Sequence, residues 1–132
     1  MIIIVDIETR GLDATKFLTA CIIKENGKIK HFYKKEELWE YIKELGRKER
    51  KRRKRLNVYA HNHEFDFYGY ADLTDQNIEY YCLRPFIANY NEEKKKTTNF
   101  LDSYGIFKMT VKKLGEMIGI PKKEIPEEFI KA

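Results

Sequence analysis

The sequence has few of the features that mark membrane, secreted or metal-thiolate proteins. It has no apolar run of the roughly 18 residues that a transmembrane helix requires. The apolar run at residues 1–5 is too short, and lacks the basic start, for a signal peptide. The two cysteines, Cys21 and Cys82, fit neither a metal-ligand nor a redox spacing. We therefore expect reduced thiols, in the core or in strands, in a cytoplasmic protein without a membrane partner.

Length and composition predict one folded domain. The 132 residues are 42% hydrophobic, 14% aromatic and 36% charged, which leaves enough apolar material for a single core. The chain has no internal repeat and no low-complexity linker, so we expect one domain over residues 1–132. The single glutamine and the abundance of Lys, Glu and Ile are typical of a thermophile.

The positive charge is concentrated in one stretch of the chain. The net charge is +5, whereas residues 43–55, hereafter the basic segment, contain nine Lys or Arg and two Glu, a local charge of +7. The remainder therefore carries a charge of −2. Such a segment can attract a polyanion such as nucleic acid. The alternative is that the basic segment is a solvated, frayed helix end.

The spacing of apolar residues predicts a mixed α/β fold. Three β-rich segments come first, and Asn26-Gly27 is a strong signal for a hairpin between the second and third, which gives an antiparallel meander. From residue 35 the apolar spacing becomes helical, and this helix extends into the basic segment. A strand at 56–60 should run parallel to the first, because a helix precedes it. Thr110 is the expected N-cap of a last helix over 111–118, before an irregular tail at 122–132. The predicted strands are residues 1–9, 17–24, 28–33, 56–60, 78–83, 86–90 and 97–102, with a turn and a helix start at 61–68 and a polar turn at 91–96.

Carboxylates near the ends of two predicted strands suggest a metal site. Residues two apart in a strand point to the same side, so Asp6 and Glu8 project together. Adjacent acids repel each other and are costly to desolvate, and a divalent cation such as Mg²⁺ or Mn²⁺ resolves that conflict. Asp66 follows the strand at 56–60 and could complete a carboxylate cluster at the edge where parallel strands end. The alternative is that the acids are simply solvated at a strand end.

Two motifs resemble those of a known enzyme superfamily. Asp6-Ile7-Glu8-Thr9, followed by Asn62-x-x-Phe65-Asp66, resembles the first two motifs of the DnaQ-like 3′–5′ exonucleases of the ribonuclease H-like superfamily. Residues 100–104 and 109–114 are similar to the exonuclease domain of protein-primed family B DNA polymerases, in which an aspartate ends a strand and a helix follows. The resemblance covers residues 1 to about 120.

The resemblance implies a ribonuclease H-like mixed sheet with flanking helices, and exonuclease activity with two metal ions. Asp6, Glu8 and Asp66 would be the catalytic residues and would bind Mg²⁺ or Mn²⁺. The substrate would be single-stranded nucleic acid, with single-stranded DNA 3′ ends as the expected partner and RNA as the open alternative. The substrate-binding residues implied by the resemblance are Thr9, Leu12, Asn62 and Phe65. A core position is the open alternative for Phe65.

The chain departs from the third motif of this family. That motif supplies a Tyr or His and a fourth acid on a late helix, whereas here no Tyr or His follows Tyr104, and we interpret the fold as C-terminally shortened. Three interpretations stay open. The protein could be a minimal nuclease that uses Glu127 or Asp102, or a subunit completed by a second copy or another partner. It could also be a nucleic-acid-binding or accessory module that does not cut.

Three other polar residues lie close to these motifs. Hard cations prefer oxygen ligands, so we expect His61 and His63 to be partly exposed turn residues rather than metal ligands. Asp102 ends the last predicted strand, and its expected role is that of a structural acid.

Overall fold

Seven β-strands form one sheet in the computed structural model, which describes residues 1–83 and 85–103. These residues also contain two α-helices. The elements in chain order are β1 (Ile2–Thr9), β2 (Phe17–Lys24), β3 (Ile29–Phe32), α1 (Lys35–Lys51), β4 (Leu56–Ala60), α2 (His63–Tyr70), β5 (Ile78–Leu83), β6 (Phe86–Glu92) and β7 (Lys95–Asp102). The helix predicted at 111–118 and the tail at 122–132 lie outside the described residues.

The strand order across the sheet is β3-β2-β1-β4-β7-β6-β5. β1, β2 and β3 are antiparallel neighbours, whereas β1 with β4 and β4 with β7 are parallel pairs. β5 and β6 extend the sheet beyond β7 as antiparallel strands. The predicted mixed α/β architecture, an antiparallel three-stranded meander followed by parallel strands, is therefore confirmed.

Local sequence signals explain the first hairpin and the orientation of β1. Gly27 has a φ of 83°, which glycine adopts without the steric cost that a side chain would add, and it turns the chain from β2 into β3. In β1, Ile3, Val5 and Ile7 are buried and alternate with more exposed residues. This two-residue period directs one face of β1 into the core and the other away from it.

Both helices cover the same face of the sheet. Trp39 of α1 and Phe67 of α2 each contact Phe100 of β7, with ring centroids 5.8 and 4.8 Å apart. Trp39 also meets Phe67 edge-on at 6.0 Å, which joins the two helices. Aromatic pairs at these distances add about 1 kcal/mol each beyond the area they bury. The core thus lies between this face of the sheet and the two helices.

A glycine lets α1 approach β7 closely. Gly46 is buried within α1, and a Cβ at this position would overlap the Thr98 hydroxyl and lie 3.1 Å from the Thr97 hydroxyl. Thr97 and Thr98 are both fully buried. Although glycine is a poor helix former, this contact explains why a glycine occupies position 46 within α1.

We expect Gly46→Ala to destabilise the protein by about 1–3 kcal/mol, although alanine favours a helix by about 1 kcal/mol. The added methyl group would have to displace Thr98 or push α1 away from β7. Urea denaturation measures the change, and Gly46→Ala combined with Thr98→Ala should recover part of the lost stability. A more stable single variant would contradict the close approach.

The turn between β6 and β7 is tighter than the polar turn predicted at 91–96, because β6 continues to Glu92 and β7 begins at Lys95. Glu93 and Lys94 have positive φ angles of 51° and 63°. Two such residues form a type I′ turn, whose twist matches that of the flanking strands. Lys95 and Lys96 are consequently the first two residues of β7 and not part of the turn.

Both cysteines lie on strands of the sheet. Cys21 on β2 is half-buried and Cys82 on β5 is exposed rather than in the core, and the two do not form a disulfide bond. In the described ranges, no helix has both the length and the apolar character needed to cross a membrane.

Candidate carboxylate site

The carboxyl ends of three parallel strands meet at one edge of the sheet. β1 carries Asp6 and Glu8 near its end, and β7 ends at Asp102, which is paired in register with Ala60 at the end of β4. α2 begins three residues after Ala60 and carries Asp66 in its first turn. The topology therefore brings acids from β1, α2 and β7 to the edge where sites of parallel α/β sheets form.

Asp6 and Glu8 project to the same side of β1. Both are exposed, whereas the residue between them, Ile7, is buried in the core. The strand alternation predicted for this pair is thus present, and the two side chains lie on the face turned away from the helices.

Asp66 is the buried member of the site. Its side chain is only 7% exposed, and one carboxylate oxygen accepts a hydrogen bond of 3.3 Å from the backbone N–H of Ile7. This N–H is free of the β4 ladder, because the pairing of β1 with β4 stops at Ile4 and Tyr59. Asp66 thereby connects the start of α2 to the end of β1.

A second glycine sets the distance between α2 and β1. Gly69 lies one helical turn after Asp66, and a Cβ there would overlap the Ile7 side chain and lie 3.1 Å from the Ala14 carbonyl oxygen. Without a side chain at this position, α2 can sit close enough to β1 for the Asp66 carboxylate to reach the Ile7 N–H.

Burial and neighbouring acids change the protonation of Asp66. Burial is the main cause that raises its pKa to about 8, the negative charges of Asp6 and Asp102 raise it further, and the hydrogen bond from Ile7 opposes them. Asp6, Asp66 and Asp102 are therefore electrostatically coupled at one edge of the sheet. Among the described residues, Glu8 is not one of the charges that act on Asp66.

Asp102 has a structural contact as well as a charge at the site. One of its carboxylate oxygens accepts a 3.0 Å hydrogen bond from the backbone N–H of Asn62. Asn62 is the N-cap of α2 and has a left-handed backbone with a φ of 55°. The structural role predicted for Asp102 is present, but its effect on the Asp66 pKa also makes it part of the site. Its place at the end of a strand parallel to β1 was the sequence signal for this second role.

The four residues predicted to bind substrate lie around this edge but differ in exposure. Leu12 is 97% exposed in the turn after β1, and the Thr9 hydroxyl donates a 2.6 Å hydrogen bond to the Gly11 carbonyl. Phe65 is half-buried and packs against the core, which supports the core alternative for that ring. The Asn62 side chain does not cap α2.

The predicted exposure of His63 is wrong. His63 is fully buried as the first residue of α2, with Nδ1 2.8 Å from the Leu101 carbonyl oxygen and Nε2 2.6 Å from the Tyr70 hydroxyl. Since a carbonyl only accepts, Nδ1 carries the proton and Nε2 accepts from Tyr70. Burial lowers the His63 pKa to about 4, against an opposing effect of the Leu101 bond. His63 is therefore a neutral structural residue. His61 is a half-buried turn residue, as expected from the sequence.

The chemistry of the site fits a divalent cation better than its described geometry does. A buried carboxylate with two acidic neighbours is the environment that a hard cation with oxygen ligands would relieve. Within residues 1–83 and 85–103, however, no three His, Cys, Asp or Glu side chains are placed together as a ready-made metal site. Asp6, Glu8, Asp66 and Asp102 are the described residues at this edge that could supply oxygen ligands to such an ion.

Other acids considered from the sequence have no described position. Glu124, Glu127 and Glu128 lie outside the described residues, as does Tyr104. The site is therefore defined by Asp6, Glu8, Asp66 and Asp102. Comparison of the chain with protein-family models, with curated proteins and with solved structures gives no match.

Proposed function

We propose that the protein is a metal-dependent 3′–5′ exonuclease with a ribonuclease H-like fold, which acts on single-stranded DNA 3′ ends. The strand order supports this fold, because a three-stranded antiparallel meander joined through its first strand to parallel strands is compatible with it. The positions of Asp6, Glu8 and Asp66 support the activity, since the two resembling motifs lie at neighbouring ends of β1 and β4. The cleavage assay described below, on the purified protein alone, tests this proposal.

Asp66 is the observation that carries this proposal. A carboxyl group that is 7% exposed and has its pKa raised to about 8 costs the fold stability at neutral pH. A purely structural position would be better filled by an amide or an apolar residue. Strongly perturbed acids in such a position are typical of functional sites.

Each residue of the site has a proposed role. Asp6 and Asp66 would bind the Mg²⁺ or Mn²⁺ ions, with Glu8 and Asp102 completing the set of oxygen ligands. When bound, two such ions activate a water and stabilise the leaving 3′ oxygen in phosphodiester hydrolysis.

The predicted substrate-binding residues divide into two groups. The exposed Leu12 and the neighbouring Thr9 would contact the terminal nucleotide beside the end of β1. Asp102 holds the backbone of Asn62, whose exposed side-chain amide would hydrogen-bond the nucleic-acid strand. Because Phe65 packs on the core, it would present at most one edge to a base.

The second candidate is a nucleic-acid-binding or accessory module that keeps the fold without cutting. The observation that favours it is that no ready-made group of three metal-binding side chains exists in the described ranges. A related possibility is that a second copy or a partner subunit completes the site. Both candidates predict nucleic-acid binding, but only the nuclease predicts metal-dependent shortening of the strand.

We expect a 5′-labelled single-stranded DNA to be shortened stepwise from its 3′ end in Mn²⁺ or Mg²⁺, and to stay intact in EDTA. Electrophoresis of timed samples reads the ladder, and a labelled RNA strand tests the preference for DNA. Asp6→Asn should abolish the shortening, because it removes a proposed metal ligand, the acid whose charge raises the Asp66 pKa more than that of Asp102.

Asp72→Asn is the matched control for this variant, since Asp72 is an exposed aspartate beyond the end of α2. It should cut as fast as the unmodified protein. Equal shortening by Asp6→Asn and Asp72→Asn would refute the proposed site. Binding without cleavage in both metals, at several protein concentrations, would favour the binding module.

A further inference from the structure

A cationic depression lies at the edge of the sheet opposite the carboxylate site. It has a volume of about 410 Å³, and every residue that lines it is Lys or Arg. The cations come from two places, the end of α1 with the turn that follows it, and the start of β7. Those from α1 and its turn are Arg50, Lys51, Arg53, Lys54 and Arg55, and those from β7 are Lys95 and Lys96.

Ion pairs hold the two sides of the cationic depression together. Arg50 contacts the Glu93 carboxylate at 3.0 Å and the Glu92 carbonyl oxygen at 3.4 Å, both beside the β6–β7 turn. Arg47, one turn earlier in α1, contacts the Glu92 carboxylate at 3.0 Å. The end of α1 is thus joined to the strands that carry Lys95 and Lys96.

The end of α1 has defined backbone contacts. The N–H groups of Arg52 and Lys54 each donate to the Glu49 carbonyl at 2.9 Å, and that of Arg53 donates to the Arg50 carbonyl at 2.8 Å. Arg53 adopts a left-handed backbone with a φ of 59°, which ends the helix and turns the chain. These contacts argue against fraying, whereas the solvation in the alternative considered for the basic segment agrees with the exposed side chains of residues 51–55.

The dipole of α1 explains only some of the cations that line the depression. The helix dipole accounts for basic residues in the last turn of α1, but its effect falls off within that turn. Arg53–Arg55 and the two lysines of β7 are not part of that last turn. In the part of the chain that the structure describes, no carboxylate forms an ion pair with the exposed side chains of Lys51, Arg53, Lys54, Arg55 or Lys95.

We infer that the cationic depression binds the phosphate backbone of a nucleic-acid strand, as a site separate from the carboxylate edge. Closely placed cations repel one another, and a chain of phosphates relieves that repulsion while releasing counterions. A lipid surface fits less well, because amphipathic membrane-binding surfaces pair cations with apolar side chains, and the depression is lined by Lys and Arg alone. Since β7 spans about 23 Å from Lys95 to Asp102, the two sites would contact different parts of a nucleic-acid strand.

The inference does not depend on nuclease activity, so its test is a binding measurement in EDTA. A fluorescein-labelled oligothymidylate is titrated with protein at several KCl concentrations, and anisotropy gives the affinity. The triple variant Lys54→Gln, Arg55→Gln, Lys95→Gln should bind roughly tenfold more weakly or worse. Its slope of log affinity against log salt should fall by about 2, because each lost phosphate contact contributes about 0.7.

The matched control removes the same charge elsewhere on the surface. Lys28→Gln, Lys34→Gln, Lys35→Gln neutralises three exposed lysines outside the depression and should keep the slope of the unmodified protein. Equal slopes and affinities for the two triple variants would overturn the inference. So would binding to phosphatidylserine vesicles that depends on the depression while oligonucleotide binding does not. Depression-dependent binding without any cleavage would instead refute only the proposed nuclease activity.

Discussion

Asp66→Asn is expected to abolish DNA cleavage and, in the same protein, to raise the free energy of unfolding at about pH 8. The amide removes a proposed metal ligand, and we expect activity to fall by more than about 100-fold, since even losing an outer partner of a metal ligand costs 10- to 100-fold. The amide oxygen can still accept the hydrogen bond from the Ile7 N–H. Stability and activity should therefore change in opposite directions.

The stability effect follows from the direction of the pKa shift. The Asp66 pKa is raised from 3.8 to about 8 by folding, so the folded state holds the proton more tightly than the unfolded state between these values. The stability associated with this proton is fully present below about pH 4 and is lost as the pH rises through about 8. With 1.36 kcal/mol per pKa unit as the scale, we expect Asp66→Asn to gain a few kcal/mol at about pH 8 and almost nothing at about pH 4.

Urea denaturation in EDTA at these two pH values measures the gain. Adding Mn²⁺ should then stabilise the unmodified protein by about 2.7 kcal/mol at a hundredfold excess over its dissociation constant, and leave Asp66→Asn unchanged. Glu64→Gln, on the same first turn of α2, is the matched control and should behave as the unmodified protein. A variant that is less stable at the higher pH, together with an equal Mn²⁺ effect in both proteins, would argue against both the buried acid and the metal site.

Replacing His63 with leucine is expected to destabilise the fold by about 2–4 kcal/mol. The leucine fills a similar apolar space between the rings of Phe67, Phe86 and Phe100 but leaves the Leu101 carbonyl and the Tyr70 hydroxyl without their buried partner. Each unpaired buried polar group costs about 1–3 kcal/mol. His31→Leu, on the exposed surface of β3, is the control and should change stability by less than about 0.5 kcal/mol.

The same histidine gives the protein a sensitivity to acid. Folding lowers its pKa from 6.5 to about 4, so between these values the unfolded state binds the proton and the folded state does not. Stability is therefore lost as the pH falls from about 6.5 towards 4, a slope opposite to that of Asp66. His63→Leu should remove this loss, so its deficit relative to the unmodified protein should shrink in acid. A deficit that is constant with pH would contradict a neutral buried His63.

The sequence by itself determined the elements and much of their arrangement, because these depend on local periodicity. The Asn26-Gly27 turn, the alternation along β1, the helical spacing from residue 35 and the strand at 56–60 all lie where local patterns indicated. The parallel pairing of β1 and β4 follows from the helix between them. It was therefore also possible to expect Asp6, Glu8 and Asp66 at one edge.

Only the tertiary structure decided how these residues differ from one another. The burial of Asp66 depends on the close approach of Gly69 to Ile7, a contact between residues 62 positions apart that no local pattern records. The burial of His63 likewise depends on rings from β6 and β7. The cationic depression likewise depends on the two-residue turn between β6 and β7, which brings Lys95 and Lys96 beside the end of α1. Charge and periodicity are properties of the sequence, whereas desolvation and the choice of neighbours arise only when distant segments pack.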